Sequence, residues 1–149
     1  MNTPYYIPYI EKFRSNIEKF VKEVRSIYPN YMYGYSFKTN SYKPFCVQAK
    51  QLSCLAEIVS PYELKLAIES GFEWQDIIYN GVIPDFSNKL DVAKAGGIVN
   101  LESEQEIQEF IAYSNHNRQM VNIGIRLNIG EYLGKESRFG IDIKSNLYE

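Results

Sequence analysis

The stretch Tyr35-Ser36-Phe37-Lys38-Thr39-Asn40 sets the reading of this chain. It follows Pro29-Asn30-Tyr31-Met32-Tyr33-Gly34, a segment dense in aromatics and broken by Pro and Gly. Tyr33, Tyr35 and Phe37 alternate with Gly34, Ser36 and Lys38, the period of two of a β-strand. Lys38 therefore closes a strand on the face opposite the aromatics, just before the polar turn Thr39-Asn40-Ser41. Active sites of βα-barrels lie at that end of their strands. A partly desolvated amine there can have its pKa lowered and form a Schiff base with a carbonyl. On the hexapeptide alone the simpler reading is favoured: a solvated lysine ending an edge strand, with Tyr35 and Phe37 in the core.

The sequence on either side places this strand in a series. Residues 1–8 read as an arm. From Tyr9 to Tyr28 the apolar positions Ile10, Phe13, Ile17, Phe20, Val21, Val24 and Ile27 recur at spacings of three and four, an amphipathic helix ended by Pro29. After Lys38, Lys43-Pro44 opens a short helix over about Phe45–Leu52. Leu55–Val59 is a second strand. Ser60-Pro61-Tyr62-Glu63 then starts a helix, with Ser60 as cap, Pro61 at the first helical position and Glu63 completing a capping box. That helix runs Tyr62–Ser70 and ends at Gly71. Ile77–Tyr79 is a third strand, and a helix from Asp85 or Ser87 to Ala95 follows it. Ile98–Leu101 is a fourth strand, and Ser103 with Glu106 makes a second capping box for a helix to about Tyr113. Val121–Leu127 is a fifth strand, and the segments 130–134 and 137–140 read as loop.

One helix, then βα four times, then a further strand implies a parallel sheet with right-handed crossovers. Strands about 20 residues apart suit a βα-barrel or a doubly wound sheet. No GxGxxG follows the first strand, which argues against a dinucleotide site of the Rossmann type.

Composition narrows the functional classes. The 149 residues are one domain's worth of chain, 45% hydrophobic and 23% charged, within the ordinary globular range. A formal net charge of −2 carries no basic footprint for nucleic acid. Thirteen tyrosines and eight phenylalanines are enough for both a core and an interface. Cys46 and Cys54 form no CxxC and the only histidine is His116, so no metal site is expected. No apolar run reaches spanning length and residues 1–20 lack a signal-peptide core, so a cytoplasmic protein without a membrane segment is expected.

Beyond the strand pattern, the hexapeptide resembles the Tyr-Ala-x-Lys-Ala-Asn signature of pyridoxal-phosphate-dependent decarboxylases built on the alanine-racemase-like barrel, the diaminopimelate, ornithine and arginine decarboxylase relatives. Further motifs follow in order. Glu57-Ile58-Val59-Ser60-Pro61-Tyr62-Glu63-Leu64 is similar to the family's Asp-Val-x-Ser-x-x-Glu-Leu, with Glu57 keeping the charge and lengthening the reach. Ile78-Tyr79-Asn80-Gly81 resembles the third-strand segment, although Ile83-Pro84-Asp85 stand where the family carries a lysine. Asn100-Leu101-Glu102-Ser103 with Glu106, Ile125-Arg126-Leu127-Asn128 and Ser137-Arg138-Phe139-Gly140-Ile141 match three more. The resemblance spans Tyr33 to Ile141.

This resemblance implies an α/β fold: a partial (βα) barrel of the TIM type, with about five parallel strands and an N-terminal helix. Residues 1–32 would be arm and helix. Residues 33–149 would be the N-terminal part of a barrel that binds pyridoxal 5'-phosphate, with the second half and a C-terminal domain absent. The resemblance implies that Lys38 carries the cofactor as an internal aldimine and that Glu57 and Arg126 bind it. Each has a simpler alternative: an ion pair with Lys38 for Glu57, and a structural ion pair for Arg126. Capping explains Ser60 and Glu63, turn chemistry explains Asn80 and Asn100, and His116 falls in a surface loop at Ser114–Asn117. The family's ring-stacking histidine, glycine-rich phosphate loop and acidic partner of the pyridine nitrogen belong to later strands, as do the second-domain motifs that complete the site across a dimer.

The function so implied is that of an amino-acid carboxy-lyase similar to diaminopimelate decarboxylase, with a small-molecule amino-acid substrate, as part of a homo-oligomer, with the 149-residue piece inactive alone. An inactive binding or regulatory homologue and a racemase-type enzyme are the alternatives. An open strand edge is expected either to self-associate or to be covered by the N-terminal helix. The residues that would bind the substrate are not legible.

Overall fold

The computed structural model describes residues 5–130, 134 and 137–143. The first helix, α1 (Ile10–Ile27), follows the spacing of its apolar residues and stops where Pro29 forbids continuation. Its Phe13 ring meets Tyr35 edge-on at 5.4 Å and Phe45 at 4.8 Å, and Phe20 meets Tyr33 at 5.5 Å. These contacts seat α1 against the first strand and the next helix.

Four βα units then follow: β1 (Gly34–Ser36) and α2 (Lys43–Gln51), β2 (Leu55–Ile58) and α3 (Pro61–Glu69), β3 (Ile77–Tyr79) and α4 (Phe86–Lys94), β4 (Ile98–Leu101) and α5 (Glu104–Asn117). With β5 (Gly124–Ile125) they form a five-stranded sheet in the order β1-β2-β3-β4-β5, parallel throughout. Sequential neighbours in parallel pairing are what right-handed crossovers produce in a barrel wall. The fold is the expected partial TIM-type barrel.

The sheet has two unlike faces. Tyr35, Phe37, Ala56, Ile58, Ile77, Tyr79, Val99 and Leu101 point to the helices and are buried. Full burial of an aliphatic side chain such as Ile58 or Ile77 contributes about 1.5–3 kcal/mol, so this face holds the layers together. The opposite face carries Ser36, Glu57, Asn80 and Asn100, all half-buried, and exposed Lys38. This is the lumen side of the partial barrel.

The capping boxes form, with one difference. Ser60 Oγ accepts from Glu63 N–H (3.3 Å) and Ser103 Oγ from Glu106 N–H (3.3 Å). Each glutamate reaches one residue beyond the cap, accepting from Val59 N–H (2.8 Å) and Glu102 N–H (2.9 Å). The carboxylates thereby fix the strand-to-helix junctions at the site end of the sheet.

Three expectations need correction. The strand expected at Val121–Leu127 is short and divided: β5 pairs with β4, whereas β6 (Leu127–Asn128) pairs in parallel with β7 (Ile141–Asp142). Arg126 sits at the break, its N–H donating to Leu101 O and its carbonyl accepting from Ile141 N–H. The helix expected to end near Tyr113 continues to Asn117, so His116 lies on an exposed helical turn instead of a loop. A 3-10 turn at Trp74–Asp76 also precedes β3, closed by reciprocal bonds between Glu73 and Asp76. Of the segments read as loop, residues 131–133 lie outside the described part.

Candidate active site

The turn that carries Lys38 is fastened from several sides. Phe37 N–H donates to Glu57 O (2.9 Å), and Thr39 and Asn40 N–H groups donate to Ser36 O (3.2 and 3.3 Å). The Tyr35 hydroxyl, on the buried face, donates to Asn40 O at 2.8 Å. Burial pushes the Tyr35 phenol well above its ordinary pKa, helped by nearby Cys46, so it stays a donor. Side chains alternate across this strand. With Tyr35 and Phe37 turned to the helices, Ser36 and Lys38 turn to the lumen.

There Lys38 lines an open cleft of about 790 Å³, together with Ser36, Glu57, Asn80, Arg126 and Phe139. All three residues expected at a cofactor site, Lys38, Glu57 and Arg126, are brought to this one cleft. Among the described residues Lys38 makes no hydrogen bond or ion pair. The alternative partnership of Glu57 with Lys38 is therefore not what the structure contains: Glu57 Oε1 accepts from Asn80 Nδ2 at 3.0 Å.

Arg126 has its own acid. Its Nη1 donates to Glu102 Oε1 at 2.7 Å, and its guanidinium lies 5.0 Å from the centre of the Phe139 ring. The Glu102 side chain is 6% exposed and that of Arg126 48%, so the carboxylate anchors the pair while much of the guanidinium stays available to an anion. Glu102 Oε2 also accepts from Gly140 N–H at 3.2 Å, tying the approach to β7 onto the end of β4.

Two features were not read from the sequence. Lys89, wholly buried, donates through Nζ to Gly81 O at 2.8 Å and pairs with Glu106 Oε1, also buried. Its ammonium lies 5.5 Å from the Tyr79 ring. Lys89, on α4, thus holds the loop after β3 through the Gly81 carbonyl. The Tyr79 hydroxyl donates to Asp85 Oδ2 at 2.6 Å, and burial first, then Asp85, raises its pKa strongly. The second feature is the bonding of Asn80 and Asn100. Turn chemistry is not their role: Asn100 Nδ2 donates to Asn80 Oδ1 at 2.5 Å, from the next strand.

No cluster of three or more His, Cys, Asp or Glu able to hold a metal occurs among the described residues. Nor is any described helix long and apolar enough to cross a membrane. The site offers an amine, a carboxylate, a guanidinium and two carboxamides at the C-terminal ends of parallel strands.

Comparison with known proteins gives the family of the chain. Residues 14–148 match the family described as "Pyridoxal-dependent decarboxylase, pyridoxal binding domain". The chain belongs to this family. It is 26% identical over 151 residues to the Oryza sativa subsp. japonica protein named "Probable diaminopimelate decarboxylase, chloroplastic", covering 93% of this chain and 30% of the relative. A diaminopimelate decarboxylase structure from Helicobacter pylori superposes with a TM-score of 0.75 at 22% identity, over 95% of this chain and 38% of that one. One from M. jannaschi gives 0.72 at 20% identity, over 92% and 35%. The chain therefore spans about a third of the length of these relatives and corresponds to their pyridoxal-binding, N-terminal part. The donor set of the cleft fits such a cofactor: an amine for an aldehyde, and a half-exposed guanidinium for an anionic group.

Proposed function

We propose that this chain is the lysine-bearing part of a pyridoxal-phosphate-dependent amino-acid decarboxylase of the diaminopimelate type, with Lys38 the covalent attachment point of the cofactor. The observation that carries this is the placement of Lys38. Its amine is uncommitted among the described residues and stands at a strand end, in a cleft shared with Glu57 and Arg126. Ligand clefts commonly enclose about 300–1,000 Å³, so the space suits a cofactor together with a small amino acid.

When bound, pyridoxal phosphate supplies an electron sink for the pair left behind as the substrate carboxylate departs as carbon dioxide. The chain's own residues serve this chemistry by position. The Lys38 amine is the nucleophile, and the bonded turn from Ser36 to Asn40 limits where it can reach. Glu57 places a negative charge on the same wall. Arg126, oriented by Glu102, offers its exposed edge to an anionic group.

An absorbance titration of the protein with pyridoxal phosphate, in wild type and Lys38→Ala, tests the assignment. A new band in wild type that Lys38→Ala abolishes is expected. A band that survives the substitution would show that another amine carries the cofactor.

A further inference from the structure

Asn80, just after β3, and Asn100, within β4, stand side by side on the lumen face of the sheet. Asn80 Nδ2 donates to Glu57 Oε1 (3.0 Å), and Asn100 Nδ2 donates to Asn80 Oδ1 (2.5 Å). The order of these bonds is fixed by chemistry. An ionised carboxylate only accepts, so Asn80 turns its NH₂ to Glu57 on one side, which leaves its carbonyl oxygen facing Asn100 on the other, whose NH₂ donates to it. Used for a turn, an asparagine would bond its own backbone two residues on; here each carboxamide crosses to the neighbouring strand.

The far end of the chain of bonds is shaped for it. Asn100 pairs in register with Gly124 of β5. A Cβ at Gly124 would lie 2.0 Å from Asn100 Oδ1 and 3.2 Å from its Cγ. A residue with a side chain at Gly124 would therefore force the Asn100 carboxamide out of the position from which it donates to Asn80. Glu57 gains from such bracing because its three side-chain torsions would otherwise leave the carboxylate free to wander over an open cleft. Among the described residues its Oε2 makes no hydrogen bond, so one oxygen is held and the other faces whatever enters.

We propose that Asn80 and Asn100 are positioning residues: a one-directional amide relay that holds the Glu57 carboxylate in the Lys38 cleft, and for which position 124 must be glycine. This rests on the reading of Lys38 given above. Neither asparagine needs to touch the cofactor.

Two measurements on the protein test it. The first needs no cofactor: the side-chain amide resonances of Asn100, followed by ¹⁵N NMR, should shift when Glu57→Gln is introduced, and should cease to respond in an Asn80→Ala background. The second is the pyridoxal phosphate concentration at which borohydride traps half of Lys38. Asn80→Ala and Gly124→Ala should each raise it about 3- to 10-fold, the range set by one hydrogen bond, and Asn80→Ala/Glu57→Gln should be no weaker than Glu57→Gln alone. Both asparagines are half-buried and Asn80 lines the cleft, so Asn80→Ala leaves the core packing intact. If wild-type Lys38 is trapped but Asn80→Ala needs the same concentration, or the double variant loses the sum of both effects, the relay is refuted while the lysine reading stands. If wild-type Lys38 is never trapped, the lysine reading falls and takes the relay's purpose with it, whatever the resonances do.

Discussion

Replacing Lys89 with Met is the sharpest stability test of the interior. The Lys89 ammonium is fully buried, and its partners are the Glu106 carboxylate (side chain 5% exposed) and the Gly81 carbonyl. Met matches the length of the stem and removes the ammonium, with its charge and its donors to Glu106 and Gly81 O. Glu106 would keep its bond from Glu102 N–H but lose its counter-ion in a low-dielectric setting. Breaking a buried pair by removing one partner costs about 3–5 kcal/mol. That is a large share of the roughly 5–15 kcal/mol that stabilises a domain. For a chain of this size 1 kcal/mol moves Tm by about 2–4 °C, so a fall of at least about 6 °C is expected, together with a lower urea midpoint at unchanged slope. Lys89→Met/Glu106→Gln, which removes both charges and keeps an oxygen that can accept from Glu102 N–H, should recover more than half of the loss. A loss below about 1 kcal/mol for Lys89→Met, or a double variant no better than the single, would refute the claim that the charge pair holds the loop after β3 to α5.

Two further outcomes follow from the same packing. Burial pushes the Cys46 and Cys54 thiols up to about 11 from an ordinary value of 9.0. Both should resist alkylation in the native protein near pH 8 and react once urea is added. Because the folded state holds these protons more tightly than the unfolded one, their contribution to stability is complete below pH 9 and is lost as the pH rises from 9 towards 11; urea midpoints across that window check the sign. Ser60→Ala removes the side-chain acceptor of Glu63 N–H and should cost about 1 kcal/mol, measured by chemical denaturation.

Much of the architecture was legible because the relevant forces are local. The alternation around Tyr35 and Phe37 gave β1 and placed Lys38 on the other face. The Ser60/Glu63 and Ser103/Glu106 spacings located two helix starts to the residue. Pro29 and Gly71 marked two ends. What was not legible depends on distance in sequence. Lys89 is indistinguishable from a solvated helical lysine until α5 brings Glu106 against it, 17 positions away. Asn80 and Asn100 look like strand-end turn formers until the parallel register sets them side by side. Arg126 was expected inside one strand, but the sheet changes partners there, from β4 to β7, which apolar periodicity cannot reveal. The 3-10 turn at Trp74–Asp76 did leave a signal, an acid at each end of a Glu73-x-x-Asp76 spacing, which went unread because neither acid is a common capping hydroxyl. At the site, the family resemblance nominated Lys38, Glu57 and Arg126, where residue type and strand position alone favoured a solvated lysine and structural ion pairs, whereas the partners that orient them needed the fold.

The central claim is that Lys38, set apart by the sheet register and the bonded turn around it, is the amine that takes up pyridoxal phosphate. The direct measurement is to mix the protein with the cofactor, reduce with borohydride, digest, and map the modified peptide. A single pyridoxyl adduct on the peptide containing Tyr35-Ser36-Phe37-Lys38 is the result expected. An adduct spread over exposed lysines such as Lys12, Lys65 and Lys94 with none on Lys38, or concentrated on any one other lysine, would contradict the account.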